Sequence, residues 1–524
     1  MYKRQFYGQG NSYDEATFLA IDGSNNIYVT GGSEGSGTYY DYATVKYNSA
    51  GTQQWVQRYN GPGNNRDYPY ALATDNSDNI YVSGESYGSG TNADYATIKY
   101  NSSGVQQWVQ RYNGFGNGYD QAASISIDGS DNVYVTGISE GSGTDYDYAT
   151  IKYSPAGVQV WVQRYNGPAN SIDYANAIAI DGSGNVCVTG VSYGSGSSYD
   201  YLTIKYNSAG ETLWTRRYNG PGNYTDGAFD IVADNAGNVY VTGRSYGSGT
   251  GKDWATIKYN ADGVEQWVQR SNGAGSGEDG AYCLALDGLG NVYVTGYSYN
   301  SITKKDYVTI KYNPIGVEQW TQRYNGPENG DDEAYYIAVD ILGNVYVTGQ
   351  SYGSGTNFDY VTIKYNSAGN EQWIERYDGP GNREDKACCL AFDGMNNIYV
   401  TGKSFGANTS YDFATVKYLP SGAIEEGRTA FNLLQLFLNA EPNPFKTQTA
   451  IRYSLTNETD VSLLVYDISG KLVRTLVNEK KNLGVYSVNW DGTDEQGKKL
   501  SQGIYFYLLK TGEQTISKKI LMLR

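Results

Sequence analysis

The chain contains no histidine. That absence removes Ser-His-Asp and Cys-His catalysis and the imidazole ligands of common zinc sites. Any catalysis would have to rest on carboxylates, tyrosine, lysine or arginine. Cysteine is scarce. Cys187 stands where sibling segments carry tyrosine, and Cys283, Cys388 and Cys389 fall in another strand register. No paired spacing suggests a disulfide framework or a metal, so these are expected to be small buried hydrophobes. No run of 18 apolar residues exists, and the most apolar stretch, FNLLQLFL (431–438), is too short to span a bilayer. Positive charge is in deficit: the net charge of −16 argues against nucleic acid or an anionic membrane surface as partner, since both are polyanions. The opening MYKRQFYGQG has no apolar core of a signal peptide. No phosphate-cradling loop or dinucleotide fingerprint is present, and no cofactor is expected.

What is abundant is glycine (66) and tyrosine (54), a composition of short strands, tight turns and aromatic surfaces. Trp55, Trp108, Trp161, Trp214, Trp267, Trp320 and Trp373 recur every 53 residues. Such a fixed period signals a repeat architecture. Each unit reads as four strands: A, like AIAID (177–181); B, like NVYVTG (132–137); C, like YATIKY (95–100); and D, like VQQWVQRY (105–112). Four short strands without helical periodicity suit a β-propeller blade. Strands A, B and C occur eight times, but the Trp-bearing strand D only seven. The N-terminal YKRQFYG (2–8) fills the register of WVQRYNG (55–61), with Tyr2 for Trp. The expectation is an all-β, eight-bladed propeller over 1–424, in which residues 2–7 supply the outermost strand of the last blade and close the ring. A connector follows at 425–440. At 441–524, five or more strand runs separated by turn signals suggest a β-sandwich.

AIAIDGSGNVCVTG (177–190) and its siblings resemble the SBBP family of bacterial propeller repeats. The resemblance implies a propeller but little about activity; the family name implies seven blades, whereas eight copies are present. The C-terminal segment resembles the type A sorting domain of type IX secretion substrates. The matching residues are Asn443-Pro444-Phe445, Asp467-Ile468-Ser469-Gly470-Lys471, Trp490-Asp491-Gly492, Gly503-Ile504-Tyr505 and Lys518-Lys519. This resemblance implies an Ig-like fold, outer-membrane type IX export machinery as partner, and a secreted or outer-surface location. Such cargo needs a signal peptide, expected upstream of this chain.

The propeller's two faces should differ. The A–B and C–D turns are short and uniform (DGSGN, NSAG). Asp22 and Asn26 bracket the first A–B turn, and Gly51 ends a C–D turn. The tryptophans should wedge between blades, each burying about 150–250 Å². The D–A and B–C loops on the other face are richer, and any ligand is expected there. The candidate aromatic platforms are Tyr87, Tyr193, Tyr246, Tyr299, Tyr352 and Phe405. Stacking on these rings would suit a glycan, and a surface protein is the other candidate ligand. Asp14, Asp67, Asp120, Asp173, Asp226, Asp279, Asp332 and Asp385 precede strand A near the channel mouth. They could form a cation ring or, as turn residues do, bond local N–H groups; the second reading is favoured and no metal is expected. A further series, such as Asp41, Asp94 and Asp359, precedes strand C. A symmetric C–D turn would set Asp94 opposite Arg111, whereas a turn ending at Gly104 would slip the register by one.

A residue repeated in every blade is not a unique catalyst. The visible breaks are Lys304, Lys305, Asp331–Asp332–Glu333 and Asp230, and they form no recognisable acid/base pair. The reading is a non-catalytic surface or secreted binding or adhesion protein. The alternatives are a carbohydrate-active enzyme using carboxylates and a structural surface protein.

Overall fold

The computed structural model describes residues 3–6, 13–35, 37–273, 277–407, 409–421, 438–455, 459–481, 484–512 and 515–523. Among these there is no helix, and seven sheets of the first unit each run A-B-C-D in antiparallel order. Blade 2 is representative: Asp67–Thr74, Ile80–Tyr87, Ala93–Tyr100 and Gln106–Tyr112. The eighth sheet joins Asp385–Phe392, Ile398–Phe405 and Tyr411–Tyr418 to the N-terminal strand Lys3–Phe6, which pairs from Lys3 opposite Val416 to Phe6 opposite Phe413. The ring is therefore closed by the chain's own start. Residues 2 and 7 of the expected closing strand lie outside the described residues.

Strands B and C are buried throughout because each is covered on both faces by a neighbouring blade. That is why they read as near-continuous Val, Ile, Tyr and Thr. Strand D is outermost and only half-buried, so Gln alternates with the apolar residues. Strand A lies innermost, and the A strands of successive blades are neighbours around the axis. Each A strand carries a bulge at its centre, for example between Pro69 and Ala71. Such a bulge bends the strand and increases its twist.

Blades are locked by one repeated device. The carbonyl of Ser102, in the C–D turn of blade 2, accepts from Trp55 Nε1 at 3.2 Å and from Lys46 Nζ at 2.8 Å, both in blade 1. Pro155, Ser208, Pro314, Ser367 and Pro420 play the same part for the tryptophan and lysine of blades 2, 3, 5, 6 and 7. The indole lies over the glycine that ends that turn. A Cβ on Gly104 would meet Trp55 at 2.8 Å, and Gly104 has φ +83°. Both facts demand glycine there. The lysine stem also crosses the strand-B tyrosine, with Lys46 Nζ 5.0 Å from the Tyr28 ring centre. In blade 4 Cys187 replaces that tyrosine. Lys205 then sinks to Asp181 (2.8 Å) and the carbonyl of Gly237 (2.8 Å), leaving Trp214 alone on Ala261. Cys187, Cys283 and Cys389 are buried, Cys388 is half-buried, and all four are free thiols.

The second unit is a two-sheet sandwich. One sheet orders Leu438–Glu441, Thr449–Leu455 and Gly484–Trp490. The other orders Leu472–Lys481, Thr459–Asp467, Gly503–Lys510 and Thr515–Met522. Its first strand begins inside the segment read as connector, 425–440, of which 425–437 lies outside the described residues. The core gathers Phe445, Ile451, Leu463, Trp490, Tyr507 and Ile520.

The closing strand yields a test. Phe6 is half-buried, with its ring 5.3 Å from that of Phe413. Removing a fully buried phenylalanine costs about 3–5 kcal/mol, so Phe6→Ala should cost about 1–3 kcal/mol and lower the thermal midpoint. An unchanged midpoint would mean that the N-terminal strand contributes nothing to closure.

Candidate functional site

The face formed by D–A and B–C loops is organised by the aspartates that precede or open strand A. Asp67 is fully buried. Its Oδ2 accepts from Gly61 N at 2.6 Å in the D–A loop, and its Oδ1 accepts from Tyr87 N at 3.1 Å in the B–C loop. Gly114, Gly167, Gly220, Gly273, Gly326 and Gly379 donate in the same way to Asp120, Asp173, Asp226, Asp279, Asp332 and Asp385. Backbone N–H groups of Tyr193, Tyr246, Tyr299, Tyr352 and Phe405 complete the staple in their blades. The loop that would complete the set at Asp14, itself buried, lies outside the described residues. The aspartates and the aromatic platforms are thus parts of one construction, in which the carboxylate fixes the backbone of the ring-bearing residue.

Three of the platform rings are packed edge-on. Tyr193, Tyr352 and Phe405 make T-shaped contacts with their cross-strand partners Tyr199, Phe358 and Tyr411, at 5.2, 5.6 and 5.2 Å between ring centres. Tyr246 lies 5.6 Å from Tyr224 and has Lys252 over its ring. Tyr299 and Tyr352 are the most exposed, at 36% and 38%. Tyr87 is half-buried.

The Asp–Arg pairs form despite the register slip. A bulge at Lys99/Tyr100 sets Ala96, not Asp94, opposite Arg111. The guanidinium nevertheless reaches Asp94 at 2.8 Å, and the equivalent contacts in blades 1 and 3 to 7 are 2.8–3.3 Å. Arg111 also donates to the carbonyl of Ser86 at 2.6 Å and to the hydroxyl of Tyr59, in the preceding blade, at 3.1 Å. A rigid fork with five donors can serve all these acceptors at once. In blade 8 the residue opposite Ala414 is Gln5. There burial pushes the Asp412 carboxyl up to about 6, with Thr409 donating to it at 2.6 Å.

The blades differ widely along the innermost strand A and at the strand-B position facing its second residue. The second position of strand A carries Glu15, Tyr68, Gln121, Tyr174, Gly227, Gly280, Glu333 and Lys386. Opposite them on strand B stand Gly32, Glu85, Ile138, Val191, Arg244, Tyr297, Gln350 and Lys403. Position-by-position alignment of the blades against one another exposes this pair as variable, together with the fourth position of strand A, where Phe229, Tyr282 and Tyr335 stand. Being on the innermost strand beside the D–A loop, these residues surround the channel mouth.

With neighbouring side chains they form three networks. At the blade 8–blade 1 seam, Lys403 contacts Glu384 (3.2 Å), Glu15 (3.9 Å) and the Tyr13 hydroxyl (3.1 Å), with Lys386 also on Glu384 (3.1 Å). Burial opposes the charge on Lys403, but Glu15 and Tyr13 outweigh it and hold the ammonium above its ordinary range. Burial and Glu15 push the Tyr13 phenol up to about 12. Across blades 2 and 3, Glu85, only 1% exposed, takes Arg66 at 3.0 Å and the Tyr119 hydroxyl. Burial raises its carboxyl above the usual range. On blades 5 to 7 the surface is aromatic. Tyr282 lies 5.9, 5.5 and 5.5 Å from Phe229, Tyr297 and Tyr335, while Lys305 sits over Tyr297 and pairs with Glu333. Of the sequence breaks, Lys305 and Glu333 meet here. Asp230 lies deeper, accepting from Leu284 N at 2.9 Å, and burial raises its carboxyl. Phe18 and Tyr336, from blades 1 and 7, approach to 6.3 Å and narrow the bore.

Among the described residues one group of three carboxylates, Asp359, Asp378 and Asp385, places an oxygen of each within 4.8 Å of the others. Asp359 already carries Arg376, and Asp385 carries Gly379 N and Phe405 N, so N–H donors supply the compensation there.

The residues expected from the sequence to carry a sorting signal divide by their place in the Ig-like domain. Phe445 packs on Trp490 at 5.4 Å, and Trp490 Nε1 donates to the carbonyl of Thr493 at 3.0 Å. Asn443 brackets the last strand, donating to Lys519 O and accepting from Leu521 N, both at 2.9 Å. Pro444 is exposed beside it. Gly470 (φ +83°) closes the Asp467–Lys471 turn, and Gly503 opens its strand. Lys518 and Lys519 are exposed on the final, edge strand.

The pKa directions set a pH dependence. Burial pushes Asp67, Asp120, Asp332, Asp385 and Asp412 up to about 6. Each therefore binds its proton more tightly folded than unfolded. The stabilisation from protonation is fully present below about pH 4 and is lost as pH rises through 6. Asp75, Asp128 and Asp181 shift the other way despite burial, because Asn and Tyr donors (for Asp181, Lys205 first) hold the anion, so they lose their contribution below pH 4. The melting temperature should rise on lowering pH from 7.5 to 5 and fall again below 4. A monotonic loss between 7.5 and 5 in scanning calorimetry would contradict this.

Comparison with known proteins matches the Beta-propeller repeat family (SBBP) at residues 54–90 and 319–359, and the FlgD Ig-like domain at 444–512. No curated protein matches the chain. Among solved structures, PorZ, described as an essential bacterial surface component of the type-IX secretion system of Porphyromonas gingivalis, is 12% identical. The match covers 99% of this chain and 75% of PorZ, with a TM-score of 0.34. The β-propeller domain of the Trilobed protease from Pyrococcus furiosus is 8% identical over 66% of this chain and 94% of that one, with a TM-score of 0.39. A eukaryotic initiation factor is 8% identical over 70% and 78%, with a TM-score of 0.41. The chain is an all-β protein of four-stranded propeller blades with SBBP repeat matches, followed by an Ig-like domain similar to that of FlgD.

Proposed function

We propose that this chain is a non-catalytic binding protein of the cell surface that takes a carbohydrate at the channel mouth. One observation carries the reading: the blades, close to uniform along strands C and D, diverge along the innermost strand A and at the strand-B position that faces its second residue. There half-buried aromatic rings adjoin carboxylates fixed by lysine and arginine. Aromatic faces suit the apolar faces of sugar rings, and fixed charged groups suit their hydroxyls. A uniform scaffold with one divergent mouth fits a single recognition site better than eight equivalent ones. The ring of Tyr193, Tyr246 and Tyr352 supports the mouth as scaffold.

The full-length chain should bind selectively on a glycan array. Tyr282→Ala and Glu333→Gln should each weaken the best ligand about tenfold or more, the scale of one stacking or charged hydrogen-bond contact. The triple Tyr193, Tyr246 and Tyr352→Ala variant should bind nearly as well as the parent. Loss confined to the triple variant would instead favour repeated weak pockets on the rim. Turnover of the bound glycan, abolished by Glu85→Gln, would replace the reading with the carboxylate-enzyme one.

The C-terminal domain serves, in this reading, as the address recognised by type IX export machinery. The family-order motifs support it. So does their division into residues that build the fold (Phe445, Trp490) and a lysine pair displayed on an edge strand, where another chain can reach it. A secreted reporter carrying residues 438–524 should reach the surface of a type IX-competent bacterium. Lys518→Ala with Lys519→Ala should reduce export while leaving the domain's melting temperature unchanged; equal export would remove the lysines from recognition.

A further inference from the structure

We propose that the seam between blades 5 and 6 holds a pocket for a phenol ring, separate from the channel mouth. Most other seams hold a phenol at this place. Strand D of blades 1 to 4, 6 and 7 ends in tyrosine: Tyr59, Tyr112, Tyr165, Tyr218, Tyr324 and Tyr377. In blade 1 the ring stands edge-on to Tyr42 at 5.5 Å, and its hydroxyl accepts from Arg111 of blade 2 at 3.1 Å. The same hydrogen bond recurs from Arg164 to Tyr112, Arg270 to Tyr218 and Arg376 to Tyr324, at 3.0–3.1 Å. Each of these seams is filled by a phenol whose oxygen meets an arginine.

Blade 5 breaks the pattern twice in one cross-strand pair. Ser271 stands in the tyrosine position, and Trp254 stands opposite it. The indole does not take over the vacated hydrogen bond, because its Nε1 donates elsewhere, to the carbonyl of Tyr297 at 2.8 Å. A cavity of about 260 Å³ remains, lined by Trp254, Ser271, Asp279, Ser298, Val308 and Arg323 among others. Arg323 still holds Asp306 at 2.9 Å and the Ser298 hydroxyl at 3.0 Å, but has no phenol to donate to. It is exposed, while its counterparts Arg111, Arg164, Arg270 and Arg376 are half-buried.

The pocket is thus the negative of a side chain that the neighbouring seams retain. A void of roughly 150 Å³ already accepts benzene, so this one has room for a substituted phenol. The pose follows from the other seams, with the ring against Trp254 and the oxygen accepting from Arg323. The shared chemistry is a para-substituted phenol, supplied either as a free small molecule or as the tip of a tyrosyl residue.

The test uses the full-length chain with p-cresol, N-acetyltyrosinamide and toluene, read by saturation-transfer NMR and by thermal shift. Saturable p-cresol binding is expected, tighter than toluene by about tenfold because of the charged hydrogen bond. Ser271→Tyr should melt higher than the parent without ligand and lose p-cresol binding at least tenfold. Ser271→Leu, which fills the space without the hydroxyl, gives the same answer on binding if the tyrosine variant folds poorly. Binding of p-cresol alone assigns the pocket to free phenols; binding of both phenols assigns it to tyrosyl groups. Equal binding to the parent and both filled variants, no saturable binding, or no preference over toluene would overturn the proposal.

Discussion

The structure depends on a shared acceptor. In six of the eight seams one turn carbonyl receives an indole N–H and an ammonium from the blade before it, and a glycine with positive φ gives the indole room. A hydrogen bond from a charged donor contributes about 1.5–3 kcal/mol and a neutral one about 0.5–1.5 kcal/mol. Repetition around the ring makes blades 2, 3, 6 and 7 partners in two such locks each. Propeller blades cannot bury both faces alone, so this contact between blades matters more than any contact within one.

Where the lock or its companions change, the change is compensated nearby. Cys187 removes a ring, and Lys205 moves inward to Asp181. Phe413 takes the place of a strand-C tyrosine where the N-terminal strand closes the ring, and Phe6 packs against it. Asp412, with Gln5 in the arginine register, has its carboxyl pushed up to about 6 by burial. The blade 5–blade 6 seam is the exception: two substitutions in one pair leave space instead of filling it. Uncompensated departures from an otherwise satisfied repeat are where binding is physically cheapest to build, because no scaffold contact has to be displaced.

The loop face separates scaffold from recognition in the same way. In six blades a buried aspartate holds the loop backbones with two N–H donors, which fixes the platform residues but spends the carboxylates. The channel mouth differs because its carboxylates are held by side chains, Lys403, Arg66 and Lys305, that vary from blade to blade. Fixed charge in a half-buried, aromatic setting gives orientation to a polar ligand at small reorganisation cost.

The sequence by itself determined the architecture. A 53-residue period with alternating strand and turn chemistry leaves few options, and the count of seven tryptophan strands against eight A strands required the N-terminus to close the ring. Local chemistry was equally legible: Asp22 and Asn26 had to make a turn, and Gly104 had to end one. The site was legible only in part. The aspartates and platform tyrosines could be placed on one face, but their union through backbone N–H groups depends on loops 20 residues apart meeting in space. The Asp94–Arg111 pair survived a register slip because a long side chain reaches diagonally, which strand pairing alone does not reveal. Lys403 joining Glu15 and Glu384, Tyr282 joining Phe229 and Tyr335, and the space beside Ser271 were decided by tertiary structure. Each joins residues of different blades, and their distances follow from how blades pack around the axis rather than from any spacing along the chain.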